Sequence, residues 1–198
     1  MATPYRIRQL ELREEAILDA AHQLLGRLGY EDMTMDVVAA EVGIAKASLY
    51  KHFASKERLA ARTMTRLFER TVLKLNSVDA SLTAVNQLRL MLEWVLRERL
   101  KGSIPHLPST NGALEQSLMT DEEYLAALFT LNAALSALIE AAKRDGALSL
   151  ALPTDYIVTA IYARSCDPTL DYMKRGNSYS DDEIVVYMVH AFFSGVQA

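Results

Sequence analysis

The chain has 198 residues, 51% hydrophobic and 23% charged, with 8 Gly and 5 Pro. That composition excludes a disordered, collagen-like or turn-dense all-β protein and leaves ample chain to bury a core. A single cysteine excludes an internal disulfide framework and a multi-cysteine zinc site, and the formal net charge of −4, taken whole, argues mildly against a polyanionic partner.

The 27 Ala and 29 Leu make an all-α fold the expectation. No segment reaches the run of roughly 18 to 20 apolar residues that a membrane span needs, so no membrane partner is expected. The first fifteen residues, MATPYRIRQLELREE, hold no apolar signal core. With one cysteine, a cytoplasmic location is the expectation. The charge divides unevenly. Residues 1–75 carry 12 Lys/Arg and 10 Asp/Glu, a net of +2, whereas 76–198 carry 9 and 15, a net of −6. Such a change of sign suggests two units with different partners, the first being the better one for nucleic acid.

In chain order, Gln9 to Leu28 bears apolar side chains at Ala16/Ile17, Ala20/Ala21, Leu24/Leu25 and Leu28, the stripe of an amphipathic helix that Gly29 stops. Thr34 can cap a short second helix through Val37, Val38 and Val42, ended by Gly43. A third helix is predicted over Lys46–Phe53, and Ser55 can cap a long fourth from Lys56 to about Leu75. Two short helices across a glycine turn, braced by longer ones, form a helix-turn-helix arrangement, although an ordinary helical hairpin has the same spacing. Gly102–Gly112 reads as a loop with at most one short turn of helix.

Further on, Ser81–Leu100 is helical. Tyr124–Lys143 is apolar enough to be buried on most sides. Thr154–Lys174 must kink or split at Pro168, and the last helix runs over Asp181–Phe193. Thr120-x-x-Glu123 and Ser180-x-x-Glu183 match the capping-box pattern. The acids around them, Asp121, Glu122 and Glu123 and then Asp181, Asp182 and Glu183, sit where the helix dipole favours them, so no metal site is expected there.

These elements carry a resemblance. Arg13-x-x-x-Ile17-Leu18-x-Ala20-Ala21 with Gly29-Tyr30, then Thr34-Met-Asp-Val-Val-Ala-Ala-Glu-Val42, and above all Gly43-Ile-Ala-Lys-Ala-Ser-Leu-Tyr-Lys-His-Phe53 with Ser55-Lys56-Glu57 resemble the N-terminal domain of the TetR family of bacterial transcriptional regulators. The resemblance covers about the first third of the chain. It implies a helix-turn-helix DNA-binding domain (1–55), a connecting helix (56–75) and a C-terminal helical domain for ligand binding and dimerisation (76–198). The implied function is a ligand-responsive repressor that binds a palindromic operator as a homodimer. The alternative is a protein of this type that has lost DNA binding and acts through a protein partner.

The chemistry of the matched residues fits. Leu49 and Phe53, four apart, share a face that packs the third helix inward, and a helix of this kind enters the major groove N-terminus first. The resemblance puts Lys46, Ala47 and Ser48 nearest the bases and Tyr50, Lys51 and His52 on phosphate or neighbouring bases. Thr34 and Lys56 match positions that hold phosphates at helix starts, where free N–H groups favour anions. Ala45 stands where a capping Ser or Thr is frequent and Ala47 where Gly is frequent, which makes the operator harder to infer.

For the second half the resemblance implies a small-molecule effector and a dimer. Trp94, Tyr124, Phe129, Tyr156 and Tyr162 lie on helices expected to surround a pocket, with Arg97, Asn132 and Arg164 as polar groups. An apolar or aromatic effector suits them better than a phosphate-rich one. The apolar positions Ile157, Ile161, Ile184, Tyr187, Met188, Ala191 and Phe192 of the last two helices are expected to form the dimer face. No catalytic role is expected. Cys166 has no nucleophile motif, and His22, His52, His106 and His190 lack metal-ligand spacing. No cofactor is implied.

Overall fold

The computed structural model describes residues 4–104 and 112–198, and their side chains except those of 6, 7 and 113. His106 and most of the Gly102–Gly112 loop expected from the sequence lie outside them. The regular elements among the described residues are helices: α1 (Pro4–Asp32), α2 (Met35–Val42), α3 (Lys46–Leu49), α4 (Lys56–Asn76), α5 (Ala84–Leu100), α6 (Gly112–Met119), α7 (Glu122–Arg144), α8 (Thr154–Ser165), α9 (Pro168–Gly176) and α10 (Asp181–Val196). They gather into two compact units, one of residues up to 67 with 102–127, the other of 68–101 with 128–198. Residues 102–127 thus belong with the N-terminal unit, although the sequence alone assigned them to the body.

In the first unit, α1 is already helical at Pro4, five residues before the predicted start. Its buried stripe begins only at Ile17 and runs through Leu18, Ala21, Leu24 and Leu25, all fully buried. Removing any of these leucine side chains costs about 2–5 kcal/mol. Gly29 breaks the helix with φ 78°. On α4, Arg66 donates to Glu15 at 2.8 Å and to Asp19 at 2.7 Å, one turn apart on α1. The buried hydroxyls of Thr63 and Thr65 donate to the carbonyls of Leu59 and Ala61 one turn back.

The start of α7 departs from the expected capping box. Thr120 donates its hydroxyl to the Gln116 carbonyl at 2.9 Å, closing α6. Asp121 caps instead, accepting from the Tyr124 N–H at 3.1 Å. Asp121 is only 5% exposed and pairs with Arg58 of α4. The buried charge thereby has both a cation and a backbone donor, as burial requires.

In the second unit, α5 packs on α8 and α10 and buries Leu88, Met91, Leu92 and Leu96. It begins at Ala84 and not Ser81, because the Asp79 carboxylate accepts from the Ser81 N–H at 2.9 Å and holds a turn there. Pro168 splits the predicted Thr154–Lys174 helix. It stands at the first position of α9, and Asp167 caps that helix through the Thr169 N–H. Arg99 of α5 fills the break, donating to the Ser165 carbonyl at 2.6 Å and to Asp171 at 2.7 Å. The Ser180–Glu183 capping box forms as expected, and its bonds to Ser180 hold the Glu183 carboxyl below its usual range. Of the neighbouring acids, Asp181 pairs with Lys174 and Asp182 with Arg97.

Helix α7 corrects two expectations. It is long and apolar enough to cross a membrane by length and composition alone, with a mean hydropathy of 1.7 over its best 18-residue window. Alanines raise that mean although Thr130, Asn132 and Ser136 interrupt any unbroken run. Only 22% of that window is buried, so α7 is not enclosed on most sides. A single stripe, Leu131, Leu135, Ile139 and Ala142, is buried, while Phe129 is 64% exposed.

Candidate nucleic-acid interface

The interface is built from the loop ends of α2, α3 and α4. Thr34, in extended conformation, accepts from the Val37 N–H at 3.2 Å and caps α2. The chain reverses at Gly43, whose φ of 74° is left-handed and disfavours any side chain with a Cβ. This turn sets α3 against α2 so that Leu49 is fully buried and Phe53 nearly so.

Helix α3 is shorter than predicted, ending at Leu49. Ala45 supplies no capping side chain, and after Tyr50 the chain tightens, the His52 N–H bonding the Leu49 carbonyl. The inward face is nevertheless the expected one. Ala47, Tyr50 and Lys51 point to solvent, and Ser48 and His52 are half-buried. Tyr50 is 44% exposed.

The two ends of the surface are braced. Lys46 Nζ lies 2.7 Å from Asp36 Oδ2 in the first turn of α2, and this bond raises the lysine's pKa. Lys56, at the start of α4, stacks over the Tyr30 ring at 4.1 Å and donates to the Glu31 carbonyl at 3.1 Å. The Tyr30 hydroxyl donates to Glu57 at 3.0 Å. Burial and that carboxylate push the phenol well above its ordinary range. The Glu57 carboxyl is lowered, first by its own backbone N–H at the helix start. The end of α1 is thus latched to the start of α4, which holds Lys56 in place at the first turn of that helix. Sequence reasoning missed Asp36 and the roles of Tyr30 and Glu57. An acid in a first turn reads as a complement to the helix dipole, and its pairing ten residues on depends on the turn between.

The residues expected to line a pocket go to different places. The Tyr162 hydroxyl donates to Asn132 at 2.7 Å, bringing those two together. Arg97 turns to Asp182, and Trp94 is half-buried. Tyr124 is buried in the first unit, and Phe129 is exposed. Tyr156 and Arg164 line an open groove between α8 and α10, with Arg164 pairing Asp167 at 2.7 Å. Of the residues expected at the dimer face, Ile157, Ile161, Ile184, Met188 and Phe192 are buried within the protomer, whereas Tyr187 and Ala191 are exposed. A helical stripe broad enough to face both ways does not reveal from sequence which edge stays free.

Residues 17–63 match the family of bacterial regulatory proteins known as the tetR family. The nucleoid occlusion factor SlmA of Photobacterium profundum is 33% identical over 86 residues, 42% of this chain and 44% of that protein. The HTH-type transcriptional repressor KstR of Rhodococcus jostii is 40% identical over 58 residues, 29% of this chain and 27% of that one. The chain thus spans less than half the length of these curated relatives. In overall fold it is similar to the transcriptional regulator FadR of Bacillus subtilis, solved in complex with stearoyl-CoA. That structure has a TM-score of 0.66 at 17% identity, over 92% of this chain and 99% of that one.

Proposed function

We propose, from the match of residues 17–63 to the tetR family of bacterial regulatory proteins, that this protein is a ligand-responsive DNA-binding regulator that represses by binding a palindromic operator as a homodimer. The observation that carries the reading is the division of α3 and the turn after it. Leu49 and Phe53 are buried, while Ala47, Tyr50 and Lys51 face outward between Thr34 and Lys56. Residues 46–48 are then nearest the base edges, and Thr34, Lys51 and Lys56 serve the phosphates. The repressor name of the related KstR supports this direction of control.

Lys51 is exposed, and among the described residues its ammonium has no side-chain partner. Lys51→Ala is therefore expected to weaken binding to operator and random duplex alike and to flatten the salt dependence by a slope of about 0.9. Unchanged affinity in a filter-binding titration contradicts the phosphate role.

The exposed edge of α8 and α10 suits a two-fold interface. Tyr156, Val186 and Tyr187 are each 46% or more exposed, and Tyr156 and Ala191 line the groove. The effector is a small apolar or aromatic molecule; the stearoyl-CoA in the FadR fold relative agrees with this only in its acyl chain, since its CoA part is phosphate-rich. Release occurs if the effector prefers a dimer arrangement in which the two α3 helices no longer sit about 34–36 Å apart, one turn of DNA. Only a difference in affinity between the two arrangements can drive it. An effector that binds and leaves operator affinity unchanged contradicts this mechanism.

A further inference from the structure

The Asp36–Lys46 pair is an anomaly at a surface meant for a polyanion, and its proposed role rests on the reading of that surface as a DNA interface. Both side chains are open to solvent, 66% and 50% exposed, so the pair adds little to stability. Its position matters more. Asp36 lies two residues beyond the Thr34 cap, at the helix start assigned to a phosphate, and Lys46 opens α3.

Next to phosphodiesters the two charges cannot act independently. If Lys46 swings to a phosphate, it leaves the Asp36 carboxylate unneutralised against the backbone, where like charges repel. If it stays paired, the site is locally neutral. One ammonium N–H is then committed to Asp36, and the other two can donate to acceptors on a base edge, such as O6 or N7 of guanine. Lys51 carries no such restraint.

We propose that Asp36 is a specificity-determining residue of the DNA interface: it holds Lys46 back from the phosphates, which lowers sequence-independent affinity relative to operator affinity. Lys46 in the native protein then releases no counterion on binding random DNA. Breaking the pair frees it to do so.

The test is a salt titration of full-length protein on a random duplex and on a selected operator, comparing the wild type, Asp36→Asn and Asp36→Asn/Lys46→Met. In Asp36→Asn the slope of log affinity against log salt on random duplex steepens by about 0.9. Its advantage over wild type therefore grows about 3.5-fold between 200 and 50 mM salt, and the operator-to-random ratio falls. The double variant returns to the wild-type slope. An unchanged slope in Asp36→Asn, or a double variant that stays steep, overturns the role of Asp36 while leaving DNA binding intact. A wild-type protein that binds neither duplex overturns the DNA-interface reading and this inference with it.

Discussion

Gly26→Ala is expected to destabilise the N-terminal unit by about 2–3 kcal/mol. The same change in an exposed helix interior normally stabilises by about 0.5–1 kcal/mol, because alanine loses less backbone entropy. Here the sign reverses. A Cβ on Gly26 in α1 falls well inside van der Waals distance of the Gly102 carbonyl oxygen, and the obstructing group is backbone. Gly102 has φ 74°, so the turn that presents this carbonyl is itself in a left-handed conformation and has little freedom to retreat. Gly102 and α1 belong to the same unit, so the clash falls within one packed body. A urea midpoint that falls by the corresponding amount supports the close approach. A midpoint that is unchanged or raised shows that α1 and the Gly102 turn do not meet.

Arg99→Met is expected to cost about 2 kcal/mol, through a different mechanism. Arg99 is 12% exposed and satisfies two acceptors at the α8–α9 break, the Ser165 carbonyl and the Asp171 carboxylate. Removing a buried partner costs about 3–5 kcal/mol when the charge left behind is fully buried. Asp171 is 47% exposed and regains water, which reduces the figure. Lys in its place is expected to recover less than half of the loss, because one ammonium cannot reproduce the planar fork that reaches both acceptors. Thermal or urea unfolding of the two variants checks this, and equal stability of Arg99→Met and wild type contradicts it.

The features legible in the sequence are those whose physics is local. Gly43 ends α2 because a left-handed residue is needed there, and Thr34 caps it with its own hydroxyl. Pro168 splits a helix wherever it falls, and Ser180 and Glu183 find each other within one turn. What was not legible depends on groups distant in the chain. Asp121 replaces Thr120 as cap partly because Arg58, 63 residues earlier, pairs with it. Lys56 is held by the Tyr30 ring, and Lys46 by Asp36, only once the intervening turns are in place. The apolar run of α7 signalled burial, but hydropathy does not state how many sides of a helix will find a neighbour.

The recognition residues show the same division. The spacing of Leu49 and Phe53 gave the buried face directly, whereas the length of α3 was not predictable, since its C-terminal end tightens into turns in which the Lys51 and His52 N–H groups bond the Ser48 and Leu49 carbonyls. In the body, periodicity marked Ile157, Ile161, Ile184 and Met188 as apolar and left open which neighbour covers them. They close the protomer's own core, and the free edge falls to Tyr156, Val186 and Tyr187.

Reading of DNA by the helix-turn-helix surface in a two-fold arrangement is tested most directly by selecting bound duplexes from a random-sequence pool with the full-length protein at moderate salt. The expected result is an enriched palindrome whose half-sites are spaced by about one helical turn, or a multiple of it, with affinity falling steeply as salt rises. A pool that shows no enriched palindrome after repeated rounds contradicts the claim and favours a protein that acts through another partner.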